Sequence, residues 1–93
     1  MAQTQRVSGV ATAIFDVDGD TCISYHNTTV VRFNHKAIEL NSGGWETVTT
    51  KTRMNQASNQ FNLGYQVFQR DYEWYVDHNG TTVDFTDGMT IDR

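Results

Sequence analysis

The 93-residue chain contains a single cysteine and no proline, and it lacks any long run of apolar residues. One thiol cannot close an internal disulfide, which excludes the cysteine-rich secreted scaffolds and favours a reducing compartment. No stretch reaches the roughly 18 apolar residues of a membrane-spanning helix. The N-terminal region also lacks the apolar core of a signal peptide. We therefore expect a soluble, intracellular protein that does not contact a membrane.

Basic residues are also scarce: the chain contains seven Lys and Arg and eleven Asp and Glu, which gives a net charge of −4. This balance argues against a protein that binds duplex nucleic acid through a broad basic surface. The one basic window, residues 32–53, contains Arg32, Lys36, Lys51 and Arg53. Five Phe, four Tyr and two Trp supply large side chains for a core. A chain of this length builds one such core, so residues 1–93 are expected to form a single domain.

Short β-favouring runs separated by turn residues dominate the sequence, which is typical of strands joined in order by hairpins. The Asp-Gly and Asn-Gly pairs at 18–19, 79–80 and 87–88 suit tight turns. The eight predicted strands are 11–17, 21–26, 29–33, 37–40, 65–69, 73–77, 82–86 and 89–92.

One window has helical rather than strand periodicity. Val48, Met54, Ala57 and Phe61 recur at helical spacing, with Thr50 on the same stripe. This predicts one amphipathic helix at about 47–62, capped by Thr47 or Thr49 and ended by the Asn62-Leu63-Gly64 segment. The fold class is therefore α+β: an antiparallel sheet of short, hairpin-connected strands with the helix packed on one face.

Residues 25–93 contain a series of short motifs, GGW, TTK-x-RMNQAS, LGY-x-V and WYV, which lie between residues 40 and 76. In these motifs the chain resembles a family of small proteins encoded in phage and prophage genomes, many from marine bacteria. The resemblance implies a phage setting and no particular chemistry. It leaves out the first 24 residues. We therefore expect a core module at 27–93, to which a hairpin within residues 1–26 is an addition.

A glycine pair precedes the predicted helix, whose first turns carry hydroxyls and two cations. Cations near a helix N-terminus oppose the helix dipole, and a bound anion would relieve the conflict. The residues predicted to form an anion or phosphate site are Gly43, Gly44, Thr49, Thr50, Lys51 and Arg53. The spacing is not that of a nucleotide-hydrolysing phosphate loop. Capping threonines beside solvated cations explain the same residues without a ligand.

Metal and catalytic motifs are weak. Asp16, Asp18 and Asp20 alternate as in a calcium loop, but the glycine and the acid required further along are missing, so an exposed turn is the better interpretation. The single thiol, Cys22, and the three histidines, His26, His35 and His78, match no zinc spacing. We expect no metal, no cofactor and no enzymatic activity.

Aromatic and acidic residues concentrate near the C-terminus. Strand alternation places them on two faces, and one helix can cover only one face. The exposed remainder is predicted to contact a protein through Tyr72, Trp74, Tyr75 and Asp77. A core that uses aromatics because Leu and Ile are few is the competing interpretation.

The sequence favours a non-enzymatic phage protein in the cytoplasm of an infected bacterial host. Its expected role is to bind a host or phage protein, as an inhibitor of a host defence or nucleic-acid-processing component. One alternative is a nucleic-acid or phosphate-ligand binder that uses the helix start, and another is a minor virion structural protein. Unpaired sheet edges also allow a homodimer.

Overall fold

The computed structural model describes residues 12–44 and 46–93. In these residues eight strands form two antiparallel sheets, and there is one helix. The elements are β1 (Thr12–Val17), β2 (Asp20–Tyr25), β3 (Thr28–Phe33), β4 (Ala37–Leu40), α1 (Val48–Phe61), β5 (Tyr65–Arg70), β6 (Glu73–His78), β7 (Thr81–Asp84) and β8 (Met89–Asp92). This confirms the α+β class with a single helix. No helix within these residues is long and apolar enough to cross a membrane.

The larger sheet has five strands in the order β1-β2-β3-β4-β8. Its first turn contains Asp18 at φ 51° and Gly19 at φ 86°, the left-handed conformations that a tight hairpin requires. The N-terminal hairpin joins this sheet directly, since β2 pairs along its length with β3. A register shift between Ile23 and Ser24 interrupts that pairing. The opposite edge of the sheet is formed by β8, which pairs with β4.

The smaller sheet contains β5, β6 and β7 in sequence order. A final hairpin at residues 87–88 was predicted to join β7 to β8, and this prediction is wrong. The strand ends at Asp84, and the next residue, Phe85, is buried against Trp74 with their ring centroids 5.4 Å apart. The chain then crosses to the larger sheet, where the Gly88 backbone N–H donates to the Leu40 carbonyl at 2.9 Å.

The helix begins and ends where its capping residues predict. The Thr47 side chain accepts a hydrogen bond from the Thr50 backbone N–H, and Asn62 ends the helix at φ 55°. Met54 and Ala57 are fully buried, as the periodic stripe predicts. Val48, assigned to the same stripe, is 71% exposed. It occupies the first helical position, ahead of the turns that pack on the sheets.

A single core lies between the two sheets and the helix. The helix packs against β2, β3 and β5, and therefore contacts both sheets. The buried residues of this core are Ile23, Val30, Val31, Phe33, Ile38, Leu40, Met54, Ala57, Leu63, Tyr65, Val67, Trp74, Val76 and Phe85. Because both sheets contribute to this core, the side chains that remain outside it define the surfaces available for binding.

Candidate functional site

A pocket of about 340 Å³ opens beside the start of α1. Its lining residues are Tyr25, His26, Thr28, Val30, Ser42, Thr47 and Thr50. None of these described residues is an aspartate, glutamate, lysine or arginine, so they offer no fixed charge to a phosphate. The Thr47 hydroxyl is engaged in capping the helix, and the Ser42 hydroxyl donates to the Asp87 carboxylate at 2.6 Å.

The two cations of the predicted anion site lie against different sheets and do not converge. Lys51 Nζ is 5.9 Å from the centroid of the Trp74 ring in the smaller sheet. The Arg53 guanidinium lies 5.7 Å from the Tyr25 ring in the larger sheet, and its Nε donates to the Thr12 hydroxyl at 2.8 Å. Residues two apart on a helix point in nearly opposite directions, which explains the separation.

The remaining residues of that predicted site have structural roles. Thr50 is buried, and its hydroxyl lies 3.0 Å from that of Thr47. Thr49 is half-buried on the helix. Gly43 and Gly44 form a turn with φ of 64° and 85°, and the side chain of Thr28 packs directly against Gly43. The structure therefore does not bring the six residues together on one surface, and a phosphate site among them stays a prediction.

The structure shows the surroundings of Asp20 in the acidic hairpin and of the single thiol, Cys22. Asp20 accepts from Arg32 Nε at 2.7 Å and from the Asn34 amide at 3.0 Å, and these bonds lower the pKa of its carboxyl. Burial raises the pKa of the Cys22 thiol, which opposes formation of the nucleophilic thiolate. Among residues 12–44 and 46–93, no three His, Cys, Asp or Glu side chains are grouped to hold a metal ion.

The predicted C-terminal contact residues divide between core and surface. Trp74 is only 5% exposed and packs on Phe85, so its side chain lies in the core rather than on the surface. Strand alternation directs it inward with Val76, opposite to Tyr75. Tyr72 lies in the β5–β6 turn at φ 70° and is 93% exposed, the most exposed of the large apolar side chains.

The outward face of the smaller sheet combines stacked aromatic rings with carboxylates. Phe68 and Tyr75 are paired across β5 and β6, with ring centroids 5.7 Å apart and an interplanar angle of 28°. Asp84 pairs with Tyr75 across β6 and β7, while Glu73 and Asp77 flank that tyrosine along β6. Phe68, Glu73, Tyr75, Asp77 and Asp84 are called the acidic aromatic face below.

The acidic aromatic face is suited to bind cations. Its three carboxylates form no ion pair within the described part of the chain, where Asp20 and Arg32 make the single salt bridge. The guanidinium of Arg70 lies 5.7 Å from the Phe68 ring, so an aromatic ring here already holds a cation. The residues predicted from the sequence do not include Phe68, Glu73 or Asp84. Only the strand register shows that Phe68 and Asp84 adjoin Tyr75, whereas alternation along β6 could have indicated Glu73.

Comparison with known proteins places the chain in a family. No curated protein and no solved structure matches it. A family model described as Kyanoviridae Gp96 protein matches residues 1–92, a span that includes the N-terminal hairpin as well as the motifs between residues 40 and 76. Because the match extends over almost the whole sequence, the chain belongs to this family of phage proteins.

Proposed function

We propose that this phage protein acts by binding a host or phage protein through the acidic aromatic face, and that the partner presents Lys or Arg side chains. The observation that carries the proposal is the set of three unpaired carboxylates around the stacked Phe68 and Tyr75 rings. Carboxylates attract a basic partner, and aromatic faces hold its cations. The exposed Tyr72 adds a large apolar contact beside the face.

Within residues 12–44 and 46–93, the smaller sheet also has an edge beside this face that no other strand pairs with. The outer strand is β7, and all four of its residues are exposed. A partner strand could pair with this edge while its basic side chains reach Asp84 and Tyr75. Binding of this kind combines main-chain hydrogen bonds with charge recognition and requires no catalytic group.

A groove that normally binds nucleic acid is the partner surface that fits this chemistry best, because it is basic and receives negative charge. Occupying such a groove would inhibit a nucleic-acid-processing or defence component in the cytoplasm of the infected bacterium. Direct nucleic-acid binding is disfavoured, because the acidic aromatic face repels phosphates and the two cations of α1 lie apart.

The test is an affinity capture from host lysate, with and without nuclease, using the wild-type chain and a triple variant, E73Q/D77N/D84N. These substitutions preserve side-chain shape and remove three negative charges. We expect a protein that is recovered with or without nuclease, is lost by the triple variant, and is released as salt rises. The purified partner should then bind the wild-type chain directly.

The matched control is E39Q/E46Q/D92N, which removes the same charge from exposed residues outside the smaller sheet. Circular dichroism and urea unfolding establish that both variants fold. Equal recovery by the two variants would contradict the proposed surface. Recovery that depends on intact nucleic acid and is abolished by K51Q would support the alternative of nucleic-acid binding.

A further inference from the structure

Exposed apolar side chains are concentrated in β1, the outer strand of the larger sheet. Ile14, Phe15 and Val17 are 44%, 40% and 36% exposed, and they make up half of the large hydrophobic residues exposed in the described part of the chain. Within that part, β1 pairs only with β2. An apolar edge strand with free backbone groups is a template for pairing with another strand.

The hairpin geometry shows which backbone groups face outward. In a hairpin with a two-residue turn, the residues that flank the turn form a hydrogen-bonded pair, here Val17 and Asp20. Since such pairs alternate along the ladder, the N–H and C=O groups of Ile14 and Asp16 are directed away from β2. An incoming antiparallel strand that pairs about Phe15 must therefore form its hydrogen bonds with these two residues.

The sequence of β1 is complementary to itself in this geometry. When two copies pair antiparallel about Phe15, Ile14 of each lies opposite Asp16 of the other, and both residues have outward backbone groups. On the other face, Phe15 meets its own symmetry mate and Ala13 meets Val17, placing a small side chain against a larger one. This creates a continuous apolar row of six side chains with no like charges directly opposed.

A register shifted to centre on Asp16 would place the two Asp16 carboxylates opposite each other, which is unfavourable. A register centred on Ile14 would place each Phe15 opposite Ala13 and so lose the contact between the two aromatic rings. We infer that β1 is a homodimerisation strand, and that two copies of the chain pair through it about a two-fold axis at Phe15 to form a continuous ten-stranded sheet. The interface is a single strand pair, so dimerisation depends on protein concentration.

Cysteine cross-linking tests both the pairing and its register. Phe15→Cys places two thiols at the symmetry axis, where opposed Cα atoms lie about 4.5 Å apart, within reach of a disulfide. Val17→Cys is the matched control on the same face, because its two copies lie about 14 Å apart in this register. We expect the disulfide-linked dimer to form at least about tenfold faster for Phe15→Cys. Both variants also carry Cys22→Ser, because Cys22 lies directly opposite residue 15 on β2 and its thiol would otherwise compete for the new one within the same chain.

Sedimentation velocity of the native chain should show its mass rising toward twice the monomer value as concentration increases. Phe15→Lys should remain monomeric at the same concentrations, because it would oppose two ammonium groups at the axis. Tyr72→Lys, which changes an exposed aromatic residue in the other sheet, should still dimerise. Circular dichroism checks folding. A native chain that stays monomeric, or equal cross-linking at positions 15 and 17, would overturn the inference.

Discussion

The buried hydroxyl of Tyr65 contributes to the stability of the fold by joining β5 to α1. Its side chain is 5% exposed in the core, and its hydroxyl donates to the Met54 carbonyl at 2.6 Å. Burial in apolar surroundings raises the pKa of this phenol, because the phenolate would lose its hydration. The residue therefore links β5 to α1 only in its neutral form.

Two measurements follow for Tyr65→Phe. The free energy of unfolding from urea denaturation should fall by about 0.5–1.5 kcal/mol at pH 7, from the lost hydrogen bond. Since the folded-state pKa exceeds the unfolded one, the native tyrosine favours folding fully below about pH 10 and progressively less above it. The variant should lose less stability than the native chain between pH 10 and pH 11. Parallel pH profiles would contradict this assignment.

The glycine turn before α1 should also be sensitive to single substitutions. A Cβ at Gly43 would lie 2.6 Å from Thr28 Oγ1, whereas one at Gly44 would meet no described residue within 4 Å, and both residues have positive φ. Gly44→Ala should cost about 1–2 kcal/mol from backbone strain. Gly43→Ala should cost a further 1–3 kcal/mol or so from the clash. Urea unfolding compares them, and Thr28→Ala should recover part of the excess for Gly43→Ala alone.

Side chains of the helix form hydrogen bonds with the backbone at the outer edge of β5. The Asn55 amide donates to the Val67 carbonyl at 2.9 Å and accepts from the Val67 N–H at 2.8 Å. Ser58 repeats this pairing at Tyr65, with distances of 2.7 and 3.1 Å. The polar residues that give α1 a mediocre helix propensity therefore take the place of a neighbouring strand.

Asn55→Ala should destabilise the protein by about 1–3 kcal/mol, because it leaves both backbone groups of Val67 without their partner. Asn59→Ala, one turn later on the same helix and exposed, is the control, for which a change within about 0.5 kcal/mol is expected. Thermal and urea unfolding measure both. Because Ala has a higher helix propensity than Asn, propensity alone would stabilise both variants, and similar losses for the two would contradict the role of edge pairing at Asn55.

Local sequence patterns predict the strands and the helix, but not how these elements assemble into two sheets. Thr47 and Asn62 mark the helix ends because capping depends on neighbouring residues alone. The division into two sheets depends on Phe85, which joins Trp74 in the core and ends the smaller sheet. The acidic aromatic face was found only in part, because its members meet through strand register rather than sequence spacing.

Asp87 joins the two halves of the chain. Its Oδ1 accepts from the backbone N–H of the buried Ser42 at 2.8 Å and from the hydroxyl of the same residue at 2.6 Å. Asp87→Ala should lower the free energy of unfolding by about 1–3 kcal/mol, because it leaves the buried Ser42 N–H without its acceptor. Asp87→Asn keeps an acceptor oxygen and should cost less. An equal loss for both variants would implicate the charge instead of the acceptor.

The pairing of β4 with β8 has a consequence during protein synthesis. The helix and the whole smaller sheet are translated between these two adjacent strands. The β1–β4 meander can therefore form early on the ribosome, but its β4 edge, which includes the core residues Ile38 and Leu40, stays open until β8 emerges. Nascent chains in this interval should depend most on chaperones, and the rate of translation through residues 41–88 sets how long the interval lasts.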